Sequence, residues 1–124
     1  MDITFALGAL DAHKKLSTFE VQIETTYSKI VTTLDGTEHG KANKRSIILV
    51  SFLPMTSEEA SAYYNALNST ELKVKYSDPF TKADREESVR VVSDLNAAFA
   101  LTSADGKNRY LGSTIRLRAI KCRQ

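Results

Sequence analysis

The chain is dominated by alternation between apolar and polar positions. In "FEVQIE", residues 19–24, Phe19, Val21 and Ile23 share one face and Glu20, Gln22 and Glu24 the other, the period of a half-buried strand. "YSKIVTTL" either continues that strand or pairs with it. "RSIILVSFL" is nearly continuous and rich in β-branched residues, which predicts a central strand covered on both faces. Between them, "LDGTEHGKAN" carries Asp35-Gly36 and Gly40, the signals of a polar loop over residues 35–43. Further on, "ELKVKY" sets Leu72, Val74 and Tyr76 against Lys73 and Lys75, and "SDPF" reads as a turn. "TKADREE" reads as a solvated connection. "SVRVVSDL" and "AAFALTS" read as strands, with "ADGKN" as a hairpin turn on Asp105-Gly106. In "STIRLRAIKC", Ile115, Leu117 and Ala119 face inward and Arg116 and Arg118 outward.

One segment has the other period. Pro54 ends the central strand, and Thr56 and Glu59 then stand at capping-box spacing, each side chain placed to satisfy a backbone N–H at a helix start. Glu58 and Glu59 lie in the first turn, where the helix dipole favours negative charge. Ala60, Tyr63, Tyr64 and Leu67 form one apolar stripe, so a helix over about residues 56–68 is predicted. The adjacent tyrosines could stack on a ligand, but core packing accounts for them. The expected fold is α+β and mainly β: an antiparallel β-sandwich or curved sheet of six to seven strands with this helix packed on it. A single domain over 1–124 is expected, with residues 1–16 extended or ordered by a partner.

Composition narrows the picture by exclusion. With 42% hydrophobic and 26% charged residues, the 124-residue chain is globular rather than disordered. Its 17 basic and 15 acidic residues leave a net charge of +2, which gives no global pull toward nucleic acid or acidic membranes. The lone Cys122 cannot form an intrachain disulfide. The N-terminus lacks the basic start and long apolar core of a secretory signal, so synthesis and assembly in a cytoplasm are expected.

Candidate chemistry is sparse. "GTEHGKA", residues 36–42, resembles a phosphate loop only superficially: three residues separate its glycines rather than four, and Ala42 replaces the needed hydroxyl. His13 and His39 have no partners at metal-ligand spacing, and no serine sits in a nucleophile elbow. No catalytic residue, cofactor or metal is expected. The basic residues Arg116 and Arg118 oppose the acidic strip of Glu20 and Glu24. They either pair across one sheet or meet between subunits. Glu20, Glu24, Asp35, Glu38, Lys41, Arg116 and Arg118 are therefore the candidate interface residues.

Several of these features occur together in a known family. "KRSIILVSFL", the Pro54-Met55-Thr56 helix start, the Val74 to Pro79 strand-turn, and Tyr110-Leu111-Gly112 leading into Ile115 resemble small structural proteins encoded in the tail modules of Firmicutes phages and prophages. The resemblance implies a tail-tube-like fold. It also implies a non-enzymatic virion component of the tail, tail tip or baseplate, or head–tail joint. Such a subunit assembles with copies of itself in a ring and with other tail proteins, through sheet edges, the loop 35–43 and the N-terminal segment. The alternative is a small β-barrel that binds nucleic acid through Arg116, Arg118 and nearby lysines. That reading is disfavoured because no aromatics interleave the basic residues.

Overall fold

The computed structural model describes residues 3–123; the side chains of residues 28–31, 38 and 39 lie outside the described set. In chain order the elements are β1 (Phe5–Leu7), β2 (Leu10–Asp11), a 3-10 turn (His13–Lys15), β3 (Leu16–Thr32), β4 (Glu38–Phe52), β5 (Met55–Thr56), α1 (Ser57–Leu67), β6 (Lys73–Asp78), β7 (Ala83–Val91), β8 (Ala98–Thr102), β9 (Asn108–Leu111) and β10 (Ile115–Ala119). Seven strands form one antiparallel sheet in the order β2-β1-β6-β7-β10-β4-β3, and β5-β9-β8 form a second, smaller one. The fold is thus mainly β with one helix, as the alternation predicts.

The large sheet curls until its two ends meet through side chains. Phe5 of β1 packs edge-on against Phe19 of β3, with ring centroids 6.0 Å apart; Phe5 also lies 6.4 Å from Phe52, whose ring in turn meets the helix residue Tyr63 at 5.4 Å. Ala60, Tyr63 and Leu67 of α1 are buried in this core and Tyr64 packs against it, so the helix covers the inside of the curl. The capping box is present: Glu59 N–H donates to Thr56 Oγ1 at 3.4 Å, and Thr56 N–H donates to Glu59 Oε1 at 3.2 Å. Thr56→Ala should lower stability by about 1 kcal/mol, measured by urea unfolding, with no change in fold.

Glu59 does more than cap. It accepts ion pairs from Lys15 at 2.6 Å and Arg109 at 3.2 Å, tying the N-terminal segment and β9 to the helix start. The Lys15 contact holds the Glu59 carboxyl below its ordinary range, with burial opposing and the Thr56 hydrogen bonds adding to it.

Two expectations change, and residues 3–16 are found packed on the body. Phe5, Leu7, Ala12 and Leu16 are buried in the core, because β1 completes the sheet against β6. The loop 35–43 is shorter than expected: β3 runs on to Thr32 and β4 starts at Glu38, leaving a turn at residues 33–37. "TKADREE" is largely strand, since β7 begins at Ala83. Its Arg85 and Glu87 occupy inward positions usually apolar, and a buried polar cluster receives them.

That cluster joins β4, β6, β7 and the C-terminal tail. Asp78, fully buried, accepts from Phe80 N–H at 3.1 Å, Thr81 Oγ1 at 3.0 Å and the Arg123 guanidinium. Arg85 Nε lies 3.7 Å from the same carboxylate, and its Nη2 donates to Glu87 at 3.0 Å. Glu87 also accepts from Tyr76 OH at 2.9 Å and Ser46 Oγ at 3.2 Å. Burial pushes the Tyr76 phenol up to about 12. Arg123 N–H donates to Lys44 O, so the tail straps the β6–β7 end to β4.

Candidate functional site

Among the described residues no group of His, Cys, Asp or Glu could hold a metal ion; His13 contacts only Asp11, at 2.6 Å, and Cys122 is exposed and free. Two hairpins leave the body instead.

The first is the outer part of β3–β4. Strand β10 pairs with β4 only from Ile47 to Val50, and the strapping tail reaches Lys44. Beyond that point β3 and β4 continue alone, so an arm about 25 Å long projects from the sheet. Among the described residues of its β4 side, Gly40, Lys41, Ala42 and Lys44 are exposed, so "TEHGKAN" shows no alternation. Tyr27 on the arm is 62% exposed, and Leu34 at its tip is fully exposed.

The second projection is β8–β9. Every residue of β8 is exposed, including Phe99 and Leu101, and Phe99 stacks edge-on with Tyr110 of β9. Gly112, where this hairpin returns to the body, has no room for a side chain: a Cβ there would sit 2.6 Å from Asn96 O and against the Tyr64 hydroxyl.

The two tips are built alike. In "TLDGT" (33–37), Thr33 Oγ1 donates to Asp35, Asp35 Oδ1 accepts from Thr37 N–H at 3.0 Å, and Gly36 takes φ +85°. In "SADGK" (103–107), Ser103, Asp105, Lys107 and Gly106 repeat the circuit, with φ +80° at the glycine. Only glycine adopts this left-handed conformation without strain. In both tips the aspartate carboxyl is held below its ordinary range, first by the hydroxyl of Thr33 or Ser103 and then by the backbone N–H.

The predicted interface residues divide among these places. Asp35 closes the arm tip and Lys41 lies exposed on the arm; the Glu38 side chain lies outside the described residues. Glu20 is exposed on β3 and accepts from Gln22 at 3.2 Å. Glu24, Arg116 and Arg118 are brought together within one chain: Arg118 donates to Glu24 Oε1 from Nε at 3.1 Å and Nη2 at 2.7 Å, and Arg116 lies 3.7 Å from its other oxygen. The strips thus pair across β4, over the outer face of the same sheet. Ile47 sits on that face between Gln22 and Arg118 and is nonetheless 1% exposed, because these long side chains cover it. Sequence reasoning missed the pairing of Lys15 and Arg109 with Glu59 and of Arg123 with Asp78, partners that lie far apart along the chain.

No protein-family model matches the sequence, nor does any curated protein. The fold is similar to that of a chain from a solved structure described as the virion of a native gene transfer agent particle. The TM-score is 0.63 at 11% identity, over 99% of this chain and 96% of that one. At this identity the likeness is one of fold, and it runs the length of both chains.

Proposed function

We propose that the protein is a non-enzymatic structural component of a phage or phage-derived particle, of the tail-module type. In this reading it joins copies of itself and other tail proteins around a ring. The observation that carries the reading is the fold shared, along nearly the whole chain, with a chain of a gene transfer agent virion. The projecting hairpins supply a means. A two-stranded arm with an exposed leucine tip has no use in stabilising its own body, but it can reach a neighbour. The free edges of β3 and β8 carry unpaired backbone groups that can extend a sheet into the next subunit. Contacts are therefore assigned to the arm, with Asp35 and Lys41, and to the β8–β9 hairpin. Within residues 3–16, Phe5, Leu7, Ala12 and Leu16 serve the subunit's own core.

The test is mass spectrometry of purified particles, which should find the chain as a stoichiometric component. Tyr27→Ser combined with Leu34→Ser should leave the isolated protein folded, judged by its melting curve, while removing it from particles. Wild-type chain found only in the lysate, or normal incorporation of the double variant, would respectively sink the structural role or the role of the arm.

A further inference from the structure

The outer face of the large sheet collects arginines that the sequence scatters. Register places Gln22, Ile47, Arg118 and Arg90 in one row across β3, β4, β10 and β7. Arg116 stands in the next row, beyond Leu49 from Glu20, and Arg45 opposes Glu24 on the other side. Arg118 and Arg90 are direct cross-strand neighbours, an arrangement in which like charges repel. Compensation is incomplete. Glu24 is engaged by Arg118 and Arg116, Glu20 by Gln22, and Glu86 stands opposite Lys75 on the far side of β7. Arg45 and Arg90 make no ion pair among the described residues. Between Arg45, Arg90 and Arg118 lies a notch of about 70 Å³, floored by Ala119 and flanked by Val92 and Ile120.

We propose that this face binds the phosphate backbone of nucleic acid, with one phosphate seated in the notch between Arg45, Arg90 and Arg118. Glu24 takes Arg118 on one oxygen and Arg116 near the other, which leaves Arg45 and Arg90 uncompensated beside Arg118; guanidiniums around a compact notch fit an oxyanion with several acceptors. Arg45 and Arg90 lie on strands two spacings apart, about 10 Å, so a string of phosphates neutralises the row better than one isolated ion. No aromatic residue joins the row, so bases are not stacked and contact is with the backbone, independent of sequence. This inference does not rest on the assembly reading, because it concerns the sheet face rather than the arms.

The experiment measures anisotropy of a labelled DNA duplex with the isolated full chain across a salt series. One phosphate seated in the notch gives a log–log salt slope of about −0.9, or about 3-fold weaker binding at 200 mM than at 50 mM salt. Arg45→Gln with Arg90→Gln, which removes no ion pair, should flatten the slope toward zero. The Tyr27→Ser, Leu34→Ser variant should bind DNA as wild type does, which separates this inference from the role of the arm. A companion titration with inorganic phosphate alone, followed by NMR of the arginine Nε–H groups, tests the notch. No duplex binding at low salt, an unchanged slope in the double-glutamine variant, or phosphate binding without duplex binding would each overturn the proposal.

Discussion

Asp78→Asn should destabilise the protein by about 3–5 kcal/mol in urea unfolding at neutral pH, the range for removing one partner of a buried ion pair. The carboxylate is fully buried and holds Arg123, with Arg85 alongside. The substitution keeps the volume but leaves two guanidiniums facing a neutral amide. Their situation is already tight, since Arg85 Nε and Arg123 Nη1 are buried without a hydrogen-bond partner among the described residues. The pH dependence has a definite sign. Burial alone would raise the Asp78 pKa, but Phe80 N–H, Arg123 and Thr81 outweigh it and hold the carboxyl below its usual 3.8. A group whose folded pKa is depressed contributes fully above its unfolded pKa and loses that contribution as pH falls through the folded value. Wild type should therefore lose stability on acidification below about pH 4, and Asp78→Asn should show a flatter acid limb. Equal acid limbs in the two proteins would mean that other carboxylates govern the transition.

Phe5→Ala should destabilise the isolated protein by about 3–5 kcal/mol, with the denaturant midpoint falling and the slope unchanged. The ring is completely buried between Phe19 and Phe52, at centroid distances of 6.0 and 6.4 Å. It joins the two ends of the curled sheet, so its loss opens a cavity at the point where β1 and β3 meet. Were the N-terminal segment ordered only by a partner, the same substitution would change the stability of the isolated chain by no more than about 0.5 kcal/mol, as for an ordinary surface site. The size of the effect thus decides whether this segment belongs to the subunit or to the assembly.

Legibility followed the rule that an element reveals itself when it buries one face. The strand at residues 19–24, β10 and the capped helix all do so, and periodicity located each; the central β4 showed itself instead by its continuous β-branched run, with Ile47 and Ile48 buried on opposite faces. Strand β7 was hidden because Arg85 and Glu87 occupy inward positions, reversing the polar-out pattern at the buried cluster. Strand β1 spans only Phe5–Leu7, too short to show a period. The arm escaped because neither of its faces is buried, so nothing distinguishes its strand from a loop. The candidate surfaces were legible only in part. Glu24, Arg116 and Arg118 stood out along the chain, but their union with Arg45 and Arg90 depends on register between strands that lie up to 73 residues apart, Arg45 to Arg118. Residue spacing carries no trace of it.

The matching tips have a consequence for how such a surface could change. Each closes through its hydroxyl residue, its aspartate, its glycine and one backbone N–H, leaving the second position out of the circuit. Leu34 occupies that position on the arm and Ala104 on the shorter hairpin. A substitution there alters what the tip offers to a neighbour without touching what holds the tip together. Each hairpin thus carries an exchangeable fingertip, and new partner preferences can be tried one residue at a time on an unchanged frame.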